Sequence, residues 1–243
     1  MNKPFLPTVC IDNFLQYPEI LTEYALSLDY YTSEDHKKNN DPTIPDGNWP
    51  GKRSKSLHTL NEPLFLSLCN KFLNVFYDSS YHNMNWNISM NFQLSSPNQY
   101  GDLNEGWVHQ DDKTLYAGVL YLTPNAPLNT GTSIYKKRAD CLDFSSNDHA
   151  LLPNSKVDLY SNFDSTKIEE YKKMLKINNS NFVETVNFSN IYNRLIAYSG
   201  GIYHGVKNYY GNDMTNERLT LVFFINSFES NWNPIEAMQK HQI

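Results

Sequence analysis

The sequence predicts a mainly β (α+β) chain: a β-sandwich or jelly roll of two antiparallel sheets, with N-terminal helices packed on one sheet. Three observations carry this. From Trp86 onward apolar and polar residues alternate along the chain. About eight short β-rich runs follow, separated by turn signals every ~8–12 residues. Ahead of them stand two segments with helical apolar spacing. At 243 residues, 40% hydrophobic and 14% aromatic, the chain can bury a sizeable core and suits a single domain, 1–243. Its expected parts are an N-terminal strand with supporting helices (1–85), a β core (86–226) with an insertion at 140–181, and a C-terminal tail (227–243).

In order, residues 8–11 read as a strand. Pro18 then opens a helix with Ile20, Leu21, Tyr24, Ala25 and Leu28 at helical spacing. Residues 33–56, with Pro42, Pro45, Gly47, Pro50 and Gly51, read as a loop. It holds the one dense basic cluster, Lys52, Arg53 and Lys55, expected as a solvated loop, with a substrate-facing role as the alternative. A second helix follows Asn61, with Pro63 in its first turn and a core stripe of Leu64, Phe65, Leu68, Phe72, Val75 and Phe76. Trp86, Ile88, Met90, Phe92 and Leu94 then share one strand face, and Asn87, Ser89, Asn91 and Gln93 form a polar inner or outer face. Further strands are expected at 115–123, 131–135, 182–188, 194–198, 204–207 and 219–225. Asp164-Ser165-Thr166 is placed to cap a helix through Ile177.

Composition narrows function. A formal net charge of −6 and a pI near 5.6 argue against nonspecific nucleic-acid binding. Three separated cysteines, Cys10, Cys69 and Cys141, make neither a disulfide framework nor a zinc pair. No stretch has the length and apolarity of a membrane span, and the N-terminus lacks an apolar signal core, so a cytoplasmic setting is expected.

The chemistry concentrates in Trp107-Val108-His109-Gln110-Asp111. On an extended segment His109 and Asp111 point to one face. A lone His-x-Asp pair is weak evidence, and a lone histidine is more often a satisfied core or surface residue than a ligand. Here, however, His204 follows Gly200-Gly201, which permits close backbone approach, and Arg218 heads the last long strand. Two imidazoles and one carboxylate leave adjacent metal positions open, the arrangement of non-haem Fe(II) oxygenases. Arg218 offers a planar fork for a carboxylate, and Thr220 shares its strand face.

The order of these motifs resembles the Fe(II)/2-oxoglutarate-dependent dioxygenase superfamily, nearest its prolyl-4-hydroxylase-like branch, over residues 86–226. The resemblance rests on His109-Gln110-Asp111, the strand Ala117 to Thr123, Gly131-Thr132, Asn193 to Tyr198 leading to His204-Gly205-Val206, and Glu217-Arg218-Leu219-Thr220. It implies a double-stranded β-helix (jelly roll, cupin-like), with His109, Asp111 and His204 as catalytic metal ligands for Fe(II). It implies 2-oxoglutarate and O2 as co-substrates, Arg218 and Thr220 on the distal carboxylate of 2-oxoglutarate, and hydroxylation with release of succinate and CO2. The family's Tyr-x-x-Gly link is replaced here by the loop 95–106, which leaves Tyr116, Tyr121 and Tyr135 as candidates for the tyrosine near 2-oxoglutarate, with Tyr121 ahead. Gly131 lacks the preceding glycine usual in the family. The substrate would be a peptide side chain, proline being the family-biased choice, or a small molecule. The competing expectation is a non-catalytic cupin-like binding module holding Zn(II) or Ni(II), for which Arg218 has no use. A metallohydrolase would need a base beside the metal, and Asp112 is expected to face away.

Overall fold

The structure is a computed structural model that describes residues 7–35, 41, 43, 49–76, 84–111, 113–139 and 164–230. Most of the expected insertion, residues 231–243 of the tail, Cys141 and Asp112 lie outside the described residues.

In chain order the elements are β1 (Val9–Ile11), α1 (Pro18–Leu26), β2 (Lys52–Arg53), α2 (Leu57–Leu60), α3 (Glu62–Leu73), β3 (Met84–Ser95), β4 (Tyr116–Tyr121), β5 (Thr132–Lys137), α4 (Ile168–Ser180), β6 (Phe182–Phe188), β7 (Leu195–Ser199), β8 (Tyr203–Val206) and β9 (Arg218–Ser230). The larger sheet has the order β1-β7-β4-β9-β3-β2 and the smaller β6-β5-β8, with every pairing antiparallel. An isolated antiparallel bridge between His109 and His204 adds the His109 segment to the β8 edge of the smaller sheet. From β3 onward the chain therefore passes between the two sheets in jelly-roll fashion, and the fold is a double-stranded β-helix.

Strand alternation sorts side chains between two interiors. Ile88, Met90, Phe92 and Leu94 of β3, Tyr116 and Leu120 of β4, and Leu219, Leu221, Phe223 and Ile225 of β9 pack with α1 and α3. The opposite faces, with Ala117, Val119, Tyr121, Ile196, Tyr198 and Val222, look into the space between the sheets. The polar face of β3 thus points inward: Asn91 and Gln93 are buried.

The three longer helices form where expected, for local reasons, while the single turn of α2 (Leu57–Leu60) was not expected. Pro18 occupies the first turn of α1. The Asn61 side chain caps α3 by accepting from Leu64 N at 3.1 Å. Phe72 of α3 stacks between Phe14 (5.1 Å) and Phe223 (4.2 Å). Gly118 makes room for this stack, because an added Cβ would sit 2.1 Å from the Phe223 ring. Burying a phenylalanine such as Phe72 contributes about 1.5–3 kcal/mol.

Two details depart from the sequence expectation. Lys52–Arg53, inside the expected loop, is a two-residue edge strand paired with Leu94 and Gln93, too short to show periodicity. β9 runs on to Ser230, because its ladder with β3 continues past a bulge between Asn87 and Ile88 to pair Ser230 with Met84. Among the described residues no helix is long and apolar enough to cross a membrane.

Candidate functional site

Two backbone hydrogen bonds set the site. His109 N donates to His204 O (3.0 Å) and His204 N to His109 O (2.9 Å), which brings the two rings to 4.5 Å between centres, tilted by 50°. Each ring is then turned by the same device. His109 Nδ1 lies 2.7 Å from Trp107 O, and His204 Nδ1 lies 2.9 Å from Ile202 O. A carbonyl can only accept, so Nδ1 carries the proton and Nε2 presents its lone pair in the neutral ring.

Both Nε2 atoms face Asp111, at 3.8 Å for His109 and 3.4 Å for His204. The ligand atoms of the three residues lie within 4.8 Å of one another. Asp111 is brought in by its own N–H, which donates to Gly200 O at 2.8 Å. Gly200 is required there, since a Cβ would lie 2.1 Å from Thr114 O and 2.8 Å from Asp111 O. At Gly201 nothing stands closer than 3.9 Å, so only one glycine of the pair is needed for close approach. Cis ligands ~2.1 Å from a shared ion stand ~3 Å apart, so the spacing and the nitrogen–oxygen donor set fit a divalent transition metal.

The cluster opens into a cavity of about 210 Å³ between the sheets, lined also by Arg218, Thr132, Tyr198, Ala117, Val119 and Val222. Arg218 is 2% exposed. Its Nε donates to Thr130 O at 3.1 Å, and its guanidinium lies 5.4 Å from the centre of the Tyr121 ring. Tyr121 in turn donates to Thr132 Oγ1 at 3.0 Å. Burial raises the Tyr121 phenol above its ordinary pKa, with Arg218 opposing. Burial also lifts Tyr198 well above, reinforced by Asp111 and Tyr121, so both phenols stay neutral.

The sequence-derived residues thus separate by position. His109, Asp111, His204 and Arg218 share one cavity. Tyr121 is fully buried beneath Arg218 and does not line the cavity. Thr220, also fully buried, places its hydroxyl 3.5 Å from Gln93 O. Tyr116 faces the helical core and donates to Pro7 O at 2.6 Å, and Tyr135 is half-buried on β5. Sequence reasoning missed Trp49, Gln93, Tyr198 and Tyr209 as cavity residues, and it expected Arg53 first as a solvated loop residue. The inward polar face of β3 was the one available signal for Gln93.

The double-stranded β-helix thus carries two histidines and one carboxylate around a common point, with an arginine in the same cavity. The chain belongs to the family of unknown function DUF6445, whose family model matches residues 2–225. Among curated proteins none matches it in sequence. Solved structures similar to it include HygX from Streptomyces hygroscopicus with nickel, 2-oxoglutarate and hygromycin B bound (11% identity, 90% of this chain and 82% of that chain, TM-score 0.48). Others are a Pseudomonas putida prolyl-4-hydroxylase (11%, 90% and 91%, 0.42) and an oxidoreductase of the 2OG-Fe(II) oxygenase family from Burkholderia pseudomallei (14%, 93% and 86%, 0.43). At these identities the likeness is one of fold.

Proposed function

We propose that this chain is an Fe(II)- and 2-oxoglutarate-dependent dioxygenase that hydroxylates a peptide side chain or small molecule, with His109, Asp111 and His204 as the metal ligands. The observation that carries the reading is the convergence of both Nε2 atoms and the Asp111 carboxylate inside the cavity that holds Arg218. Iron bound there supplies the O2 chemistry that couples oxidative decarboxylation of 2-oxoglutarate, to succinate and CO2, with hydroxylation of the second substrate.

The chain's own residues do the rest. The Trp107 and Ile202 carbonyls hold each imidazole in the tautomer that can ligate. Arg218 receives the distal carboxylate of 2-oxoglutarate; its Nε is held by Thr130 O, and Tyr121 lies against its guanidinium. Ala117, Val119 and Val222 make the cavity wall apolar and so strengthen every charge interaction inside it. Thr220 supports the same strand face. A cupin-like shell without catalysis gives Arg218, a buried cation in the wall of the same cavity, no carboxylate to bind.

The test is anaerobic titration of the Fe(II)-loaded protein with 2-oxoglutarate. A visible charge-transfer band and, in air, succinate that depends on Asp111 are expected. Absence of 2-oxoglutarate binding at millimolar concentration overturns the proposal.

A further inference from the structure

The cavity holds a second arginine, and the fold has fixed it as deliberately as the first. β2 anchors the Arg53 backbone: its N–H and C=O both bond Tyr31 at 2.8 Å. In side-chain space, Arg53 Nε donates to Gln93 Oε1 at 3.1 Å. The Gln93 amide cannot turn away, because its nitrogen donates to Pro50 O (2.9 Å) and Ser95 Oγ (3.3 Å). The guanidinium carbon lies 4.6 Å from the Trp49 ring centre and 5.5 Å from that of Phe224. One edge and both neighbouring rings are therefore committed, while the terminal nitrogens make no hydrogen bond or ion pair among the described residues.

A second observation points to a ligand at the same place. Trp49 is 3% exposed and lines the cavity, yet its indole N–H finds no acceptor among the described residues. Buried donors are rarely left unpaired, so one on a residue that lines the cavity marks where an acceptor sits when the site is filled. The Trp49 main chain is brought against β3 by Gly51, whose φ of +77° and 2.1 Å approach to Leu94 O no other residue could adopt without strain.

Charge leads to the same conclusion. Of the described charged residues lining the cavity, Arg53 and Arg218 stand with one carboxylate, Asp111. A divalent metal adds two positive charges and 2-oxoglutarate removes two, so one positive charge stays uncompensated. Arg218 is held by Thr130 and Thr132, whereas Arg53 is held by Gln93 and lies by the Trp49 and Phe224 rings, so the two guanidiniums are fixed by separate sets of partners in the cavity wall. Resting on the dioxygenase reading for the other occupants, we propose that Arg53 and Trp49 form a carboxylate-binding subsite for the primary substrate. That substrate then carries a carboxylate close to the position it presents to the metal cluster. A guanidinium edge and an indole N–H together offer the planar fork and third donor that a carboxylate accepts.

The experiment uses ¹⁵N-labelled protein loaded with diamagnetic Zn(II), with and without 2-oxoglutarate, titrated with propionate, its neutral isostere propionamide, and inorganic phosphate. The readout is the indole N–H resonances of the four tryptophans, with Trp49 assigned by Trp49→Phe. Propionate should shift the Trp49 resonance at least about tenfold more tightly than propionamide or phosphate, and Arg53→Gln should weaken it by about tenfold or more. Arg53→Lys, which keeps the charge but loses the fork, should fall between. Affinity for 2-oxoglutarate should change less than threefold in Arg53→Gln, in contrast to Arg218→Gln. Equal responses to propionate and propionamide overturn the subsite, and a tighter response to phosphate overturns its assignment to a carboxylate. Loss of 2-oxoglutarate affinity in Arg53→Gln as large as in Arg218→Gln would instead make Arg53 part of the co-substrate site. If 2-oxoglutarate never binds, the dioxygenase reading falls, while the propionate titration without it still decides the subsite.

Discussion

Replacing Arg218 by glutamine tests the proposed co-substrate site most directly. The wild-type guanidinium is 2% exposed, its Nε is committed to Thr130 O, and one terminal nitrogen makes only a long 3.5 Å bond to Thr132 Oγ1, so the terminal nitrogens keep donor capacity for a ligand carboxylate. Each charge-assisted hydrogen bond there is worth about 1.5–3 kcal/mol, and a bidentate pair about 3–6 kcal/mol. Glutamine can restore one neutral hydrogen bond of about 1 kcal/mol, which leaves a loss of about 2–5 kcal/mol. At 1.4 kcal/mol per tenfold, that weakens 2-oxoglutarate binding by about 30-fold to several thousandfold. The assay is calorimetric titration of the Ni(II)-loaded protein, with metal affinity measured alongside. Metal affinity should hold within a few fold, because Arg218 touches none of the three ligands. The variant also strands the Thr130 carbonyl, so a thermal melt must show the protein folded at the assay temperature. A fold-intact Arg218→Gln that binds 2-oxoglutarate within threefold of wild type would refute the assignment.

Further outcomes follow from the same geometry. Alanine at His109, Asp111 or His204 should each reduce bound metal by more than about tenfold, read by metal analysis after dialysis, with the melting temperature of the metal-free protein little changed. Gly118→Ala forces the Phe223 ring out of a 2.1 Å overlap and should cost about 1–3 kcal/mol, a fall in Tm of roughly 2–12 °C; an unchanged Tm would show the Phe72–Phe223 stack can yield. The Asp12 carboxylate, held by the Arg194 guanidinium, titrates below its ordinary value. Its stabilising effect is therefore present above the unfolded carboxylate pKa, near 4, and is lost as pH falls through the lower folded value. Half exposed, the pair contributes well under about 1 kcal/mol, so Asp12→Asn should flatten acid unfolding only slightly below pH ~4, as followed by circular dichroism.

The parts of this architecture that were legible in the sequence are those governed by local period. The alternation from Trp86 to Leu94 announced β3, and the Asn61-Pro63 start announced α3, because each follows from one element's own geometry. His109, Asp111 and His204 were legible as a set because the first two share a strand face and glycine precedes the third. The direction of the polar face of β3 was not legible, since period two marks two faces without saying which is covered by helices. Arg53 was read first as a solvated loop residue, with a substrate-facing role second, for a related reason. Nothing in a two-residue strand advertises its neighbours, and its environment arises only when pairing with Gln93 and the turn at Gly51 bring Trp49 alongside.

The reciprocal backbone pair joining His109 and His204 makes the cluster a property of the polypeptide ladder rather than of whatever ion it holds. Residues almost a hundred positions apart are already juxtaposed, so capture of an ion incurs little of the loop-closure entropy that a disordered site would demand. Amide protons at both positions should accordingly exchange slowly in metal-stripped protein, and demetallation and refilling should proceed as a reversible cycle without unfolding.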